Sequence, residues 1–534
     1  MSKKRLLPLL ALGLIVSLPL VSCGGDQPNV PVDPNNPNNP NEPEVKYKET
    51  AKISVSTDAN VENKVYNPSD VEITMTLSDF EKEAFYNTQV MPSLGEVNIL
   101  VVPVLIPEYT EIDLDNNGTD DKDKVHDDLE TLFFGDPEKD DRLEFGSLAS
   151  FYKESSYGKL NITGTVTDWY DVKEELGYTS ATQVTSSVTD QIVKDAVEDY
   201  RAKQSGALKS FDSDTDGYLD AVWLVYSAPN YTNGGPNLED MNFWAYTSWT
   251  NQRGVDPNVD APIVNLYGWA SYDFMYEGYG ASSLDAHTYI HETGHFLGLQ
   301  DYYSTDGGAA YSPLGKVDMM DNNIIDHNSY SKMLLGWTKP YLVYGDAEID
   351  LKSMQNENAL IVIQDDAAEV TNKFNPFSEY MIVELYTNEG LNRIDSFDQY
   401  DAVLAPQGKG VRIYHIDKRL YTITSDDLNG VYTIGEYDGK EKNDGLVVPI
   451  TNSRNDDMYN LNFGLDNTVN LFDEIRLIEA NGKDTFSNGG YQRLRSYFRN
   501  GDTFSIEKHS AFFRDGKFND GSSFSYKVGV SYEE

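Results

Sequence analysis

The sequence predicts an α+β fold, in which a twisted mixed sheet stands behind a metal-carrying helix and a β-rich region follows. Three observations lead there. Apolar runs of buried-strand type alternate with a long amphipathic helical pattern up to residue 340. Two of only seven histidines lie four residues apart, at His291 and His295. Beyond Pro340 the apolar period shortens to that of strands and turns.

At the N-terminus, Lys3-Lys4-Arg5 is a basic segment, Leu6 to Leu20 is apolar, and Leu20-Val21-Ser22-Cys23 resembles a bacterial lipobox. Residues 1–22 therefore read as a lipoprotein signal peptide with Cys23 as the lipidated residue. Cys23 is the one cysteine of the chain, which leaves none for disulfides or thiolate metal ligands. Prolines at 28, 31, 34, 37, 40 and 43 recur with the polyproline II period, so 23–45 reads as a tether. A ligand for a proline-binding module is the alternative. No later apolar run reaches the ~18 residues needed to span a bilayer, so the lipid is the expected membrane contact.

Residues 46–95 show short alternating stretches such as Ala51-Lys52-Ile53-Ser54-Val55 and Val71-Glu72-Ile73-Thr74-Met75, a small β-rich segment. Residues 96–340 are expected to form the catalytic domain. Val97 to Ile106 and Leu219 to Tyr226 read as buried strands, and Leu160 to Val172 alternates like one. Between them Val184, Val188, Ile192 and Ala196 mark an amphipathic helix. The site helix is expected to start near Ser282 or Ser283, good N-cap residues. In 341–534, Glu379 to Leu385, Gly410 to Ile416 and Ser523 to Tyr532 read as strands, giving a β-sandwich-like accessory region.

The stretch His291-Glu292-Thr293-Gly294-His295-Phe296-Leu297-Gly298-Leu299-Gln300-Asp301 carries the chemistry. Histidines at i and i+4 share one helix face, so both imidazoles can meet one zinc ion while Glu292 stands beside it as a general base. Gly294 costs a helix interior roughly 0.5–1 kcal/mol relative to Ala, which implies a packing or functional need. Gly298 suits a left-handed helix end that returns the chain, making Asp301 the expected third zinc ligand. A second-sphere carboxylate is its alternative role, with Glu277 or Asp318 next in line as ligand. His287, one turn earlier, lies too far along the axis and is assigned to the core or a cap. Tyr303, His327 and Tyr330 are candidates to assist the chemistry.

Two acidic loops suggest calcium. Asp212, Asp214, Asp216 and Asp220, with Gly217, occupy the first, third, fifth, ninth and turn positions of an EF-type loop, but Trp223 stands at the twelfth. It is thus not an EF-hand. Asp113, Asp115 and Asn117, with Gly118, repeat the start of the pattern, and an acidic solvated loop explains them nearly as well as a calcium site. The 87 acidic against 42 basic residues, a net charge of −45, argue against nucleic acid or an anionic membrane surface as partner.

The H-E-x-x-H-x-x-G-x-x-D helix resembles that of the immune inhibitor A-type metallopeptidases, secreted bacterial zincins related to the metzincins. Ser147 to Leu160, ending in Ser156-Tyr157-Gly158-Lys159-Leu160, resembles that family's tyrosine-rich helix. Asp212 to Ala221 resembles its acidic loop, and Val317-Asp318-Met319-Met320 with Lys332 to Trp337 resembles its Met-turn and closing K-x-x-L-G-W. Val317 stands where the family has tryptophan. The resemblance runs from about Glu96 to Trp337 and implies a zincin/metzincin-like catalytic domain with Met320 as the structural methionine beneath the ligands. A snapalysin-like enzyme shares the Asp ligand on a much shorter chain.

The sequence therefore points to an extracellular, cell-surface or periplasm-facing, lipid-anchored zinc endopeptidase acting on protein or peptide substrates. A non-catalytic surface binding lipoprotein on the same scaffold is the alternative, and the intact Glu292 favours the enzyme.

Overall fold

The computed structural model describes residues 46–532, apart from 84–88, 205–206, 238–241, 252–260, 279–282, 304–311, 401–402, 427–430, 437–445 and 453–472. The signal peptide, Cys23 and the proline tether lie outside the described residues. Lys46–Glu534 forms one compact unit of mixed α+β architecture with several sheets. Among the described residues no helix is long and apolar enough to cross a membrane.

The sheet behind the site runs in the order Leu160–Val166, Gly95–Leu105, Val222–Tyr226, Leu266–Ser271, Tyr246–Trp249. The first four strands pair in parallel and Tyr246–Trp249 adds an antiparallel edge. Parallel strands need helical covers on both faces, and alternate side chains of Gly95–Leu105 serve the two. Ile99 and Val101 enter the core shared with Trp223, Val225, Tyr289 and Phe296. Leu100, Val102 and Val104 enter the other, with Ile192, Val193, Ala196 and Val197 of the helix Ser186–Gln204. The helices Lys122–Phe134, Leu148–Ser155 and His287–Phe296 contribute to the first core and therefore sit on the opposite side of the sheet from Ser186–Gln204.

Leu160 to Val172 is not one continuous strand. The ladder ends at Val166, a two-residue strand Tyr170–Asp171 pairs with the far end of Gly95–Leu105, and the Asp171 side chain then caps a short helix at Val172. Capping by a side chain that accepts from Lys173 N and Glu174 N ends the strand locally.

Two further sheets combine strands from both ends of the chain. Thr50–Ser56 pairs antiparallel with Ala347–Lys352 on one side and Lys527–Ser531 on the other. A second sheet has the order Ile475–Leu477, Lys409–Asp417, Glu379–Thr387, Leu360–Ile363, Tyr341–Tyr344, Lys64–Tyr66. Ile53, Val55 and Val528 from the first share one core with Ile361, Met381, Val383 and Ile413 from the second. Segment 46–95 thus supplies strands to the sheets that follow residue 340.

Candidate metal centre and active site

The site helix spans His287–Phe296 with Ala286 at its N-cap, three residues later than a cap at Ser283 predicts. Asp285 explains the difference. Its Oδ1 accepts the His287 backbone N–H at 3.0 Å and the His287 ring Nδ1 at 2.6 Å, satisfying donors that a serine cap would otherwise serve. His287 Nε2 reaches both oxygens of Asp395 at 3.2 Å, and Asp395 also accepts from Ile325 N. The ring is fully buried, stacked between Phe145 and Tyr400. His287 is therefore a clamp between the helix start and the region beyond residue 340.

At the other end the helix closes in a Schellman motif. Leu299 N donates to Gly294 O at 3.1 Å, Gly298 N donates to His295 O at 3.0 Å, and Gly298 has φ +94°. The turn returns the chain so that Asp301 faces the histidines. Asp301 Oδ1 lies 3.1 Å from His291 Nε2 and 3.4 Å from His295 Nε2. The His291 and His295 rings are 4.9 Å apart and nearly perpendicular. One donor atom from each of the three residues falls within 4.8 Å of the others. Glu277 and Asp318 are not in this group.

Two further hydrogen bonds fix which nitrogen each imidazole turns toward Asp301. His291 Nδ1 donates to the Met319 carbonyl at 2.7 Å and His295 Nδ1 donates to the Leu299 carbonyl at 2.8 Å, because a carbonyl can only accept. Each ring therefore turns Nε2 toward Asp301, the nitrogen that it would offer to a metal once deprotonated. Burial disfavours a charged His295, yet the Asp301 carboxylate outweighs it and pushes the imidazole up to about 9. Burial likewise opposes a charged Asp301, but His295 and His291 hold it well below the usual carboxylate range. Two imidazoles and one carboxylate, with no thiolate, are the donor set of a catalytic zinc site that keeps one position open. The residues fit the ion.

Met320 explains the glycine in the helix interior. A β-carbon on Gly294 would run into Met320 Sδ, so the thioether lies flat against the helix beneath the ligands. The Met319–Asn322 turn is capped by Asp318, which accepts Met320 N at 3.0 Å, and Tyr302 N donates to Met320 O at 2.8 Å. The turn therefore holds both His291 and the neighbour of Asp301. Val317 is fully buried in the core at the position where tryptophan is the pattern.

Glu292 is buried and lines a cavity of about 520 Å³ together with His291, Thr288, Tyr303, Trp244 and Tyr400. Thr247, on the antiparallel edge strand, donates to Glu292 Oε2 at 3.1 Å or to its carbonyl at 3.0 Å. No sequence signal marks Thr247, since its role depends on the edge strand lying beside the helix. Of the three assisting candidates only Tyr303 lines this cavity. His327 is fully buried among Phe151, Tyr152 and Trp337 with neither ring nitrogen partnered, and Tyr330 donates to Glu474 in the core. Sequence order also gave no sign of Tyr400, which enters the wall from beyond residue 340.

In the first acidic loop one carboxylate oxygen each from Asp212, Asp214 and Asp216 lies within 4.8 Å of the others. Asp220 stands outside this trio. Its Oδ1 accepts Ser213 N at 2.9 Å, closing the loop, and burial pushes its carboxyl up to about 7. In the second loop Asp113 and Asp115 are joined by Asp121, while Asn117 caps locally by accepting Thr119 N.

Residues 93–324 match the family model described as immune inhibitor A peptidase M6, catalytic domain. Immune inhibitor A of Bacillus thuringiensis subsp. alesti is 27% identical over 249 residues, which are 40% of this chain and 34% of that protein. The chain thus matches about a third of that relative's length. Over residues 93–324 the chain is thus similar to the catalytic domain of the immune inhibitor A peptidase M6 family.

Proposed function

We propose that this protein is an extracellular zinc endopeptidase in which His291, His295 and Asp301 hold the metal and Glu292 is the general base. The observation that carries the reading is the convergence of those three donors within 4.8 Å, with Glu292 in the wall of the adjoining cavity. Zinc held by these three residues would supply Lewis acidity and lower the pKa of a bound water to about 7. Glu292 takes a proton from the attacking water at its carboxylate and returns it to the leaving amine. When its hydroxyl donates to Oε2, Thr247 anchors one carboxylate oxygen and leaves the other for this transfer. The Met319 and Leu299 carbonyls hold the two imidazoles in one tautomer, so the ligand geometry is set before substrate arrives.

The reading includes a zincin/metzincin-like catalytic domain, a β-sandwich-like accessory region, structural calcium at the 212–216 and 113–121 loops, and a lipid anchor on Cys23. Incubation with an unbiased peptide library, with and without a chelator, tests the activity. Glu292→Ala is expected to keep stoichiometric zinc and lose cleavage. A variant that retains most of its activity overturns the base assignment, and a wild-type protein that binds zinc but cuts nothing supports a binding lipoprotein instead.

A further inference from the structure

We propose that the cavity beside Glu292 selects a cationic side chain, lysine or arginine, of a peptide substrate, and that Glu277 is the residue that recognises it. This rests on the peptidase reading for the identity of the ligand as a peptide. Glu277 and Gly278 line the same cavity as Glu292 and His291. Glu277 Oε1 accepts from the side-chain amides of Asn230, at 2.9 Å, and Asn233. The same two amides donate to Asp273 Oδ2, at 3.3 and 3.1 Å. Two carboxylates thus share neutral donors, and among the described residues no lysine or arginine pairs with either. The arrangement holds negative charge at the cavity without cancelling it.

Asp285 adds an independent observation. Its Oδ1 is taken by His287, but its Oδ2 is buried with no hydrogen-bond partner among the described residues. Asp285 packs directly behind Gly278, where a β-carbon would come within 2.7 Å of that oxygen. A buried carboxylate oxygen without a donor is costly, and its negative potential behind Gly278 adds to that of Glu277 at the cavity wall. Lys316 lines the same cavity, and its charge acts on Asp321 of that wall and not on Glu277.

The chemistry favours a side chain over a metal ion. Glu277, Asp273 and Asp285 are not among the groups whose donor atoms converge within 4.8 Å. Spread-out carboxylates suit an ammonium or guanidinium on a long stem, which reaches several acceptors. Trp244, Phe274 and Tyr400 supply the apolar walls along which such a stem lies. A net charge of −45 attracts cationic peptides from a distance, an effect that salt weakens.

The test compares kcat/KM for peptides that differ only at the positions flanking the scissile bond, carrying arginine, norleucine or glutamate. Arginine is expected to exceed norleucine by roughly tenfold or more at one position, as for a gained charge-assisted hydrogen bond, and glutamate to be worst. Glu277→Gln should collapse the arginine-to-norleucine ratio toward one, and Glu277→Lys should invert the order of arginine and glutamate. Because each result is a ratio within one variant, loss of folded protein cancels. A wild-type enzyme indifferent to charge at every position, or a ratio unchanged in Glu277→Gln, overturns the proposal. Binding of N-acetyl-arginine amide, followed by Trp244 fluorescence in the zinc-loaded protein, separates the two readings. If no peptide is cut but this probe binds and Glu277→Gln abolishes binding, the cation site stands and the peptidase reading falls; if the probe does not bind and no peptide is cut, both fall.

Discussion

Gly294→Ala sets two opposing effects of known size against each other at the centre of the site. Replacing a glycine in a helix interior by alanine gains about 0.8–1.0 kcal/mol from propensity alone. Here the added methyl would occupy the space of Met320 Sδ, with the Met320 methyl 3.1 Å and the His327 ring 3.6 Å away, all fully buried. Overpacking a dense core costs about 1–3 kcal/mol. The contact is with the middle of a thioether whose backbone is fixed by Asp318 and Tyr302, so it cannot relax as a free chain end would. Overpacking is therefore expected to win, leaving the variant about 0–2 kcal/mol less stable. In a Met320→Ala background the space is open and the same substitution should stabilise by up to about 1 kcal/mol. The coupling between the two sites is then about 1–3 kcal/mol, measurable as a double-mutant cycle from urea midpoints of the chelator-treated protein. Gly294→Ala should also weaken zinc, because the displaced turn carries the Met319 carbonyl that orients His291. A single variant that is more stable than wild type, or a coupling near zero, refutes the packing account of this glycine.

Asp301→Ala, purified without added zinc, should contain almost no metal by mass spectrometry while still melting cooperatively; stoichiometric zinc would move the ligand role to another residue. His327→Leu should lose little stability at neutral pH and gain on the wild type as pH falls below about 6.5. The sign follows from the ring's depressed pKa, caused first by burial and then by Lys332 and His291. The unfolded chain binds a proton below its ordinary value while the folded protein does not, so acid favours unfolding of the wild type only. Parallel stability curves across pH 5–8 for the two proteins would contradict this. Cys23→Ser should shift the protein from the membrane to the soluble fraction of cells, and a variant that still fractionates with lipid refutes the anchor.

The local part of the site was legible in the sequence because it depends on short-range geometry. Histidines four apart share a face whatever surrounds the helix, and Gly298 takes the left-handed conformation because the helix must end there. Buried strands such as Val222–Tyr226 announced themselves as apolar runs for the same reason. What tertiary structure decided is what distant chain segments bring to that helix. The serine cap gave way to Asp285 because His287 is pinned from 108 residues away by Asp395. Thr247 reaches Glu292 across 45 residues, and Met320 lies under Gly294 only once its turn has folded. Thr50–Ser56 could be read as a strand, but its partners at 347–352 and 527–531 could not, since alternation shows that one face is buried and not against what. Periodicity and capping act within a few residues, whereas second-sphere bonds and cavity walls come from packing between segments hundreds of residues apart, which no local pattern encodes.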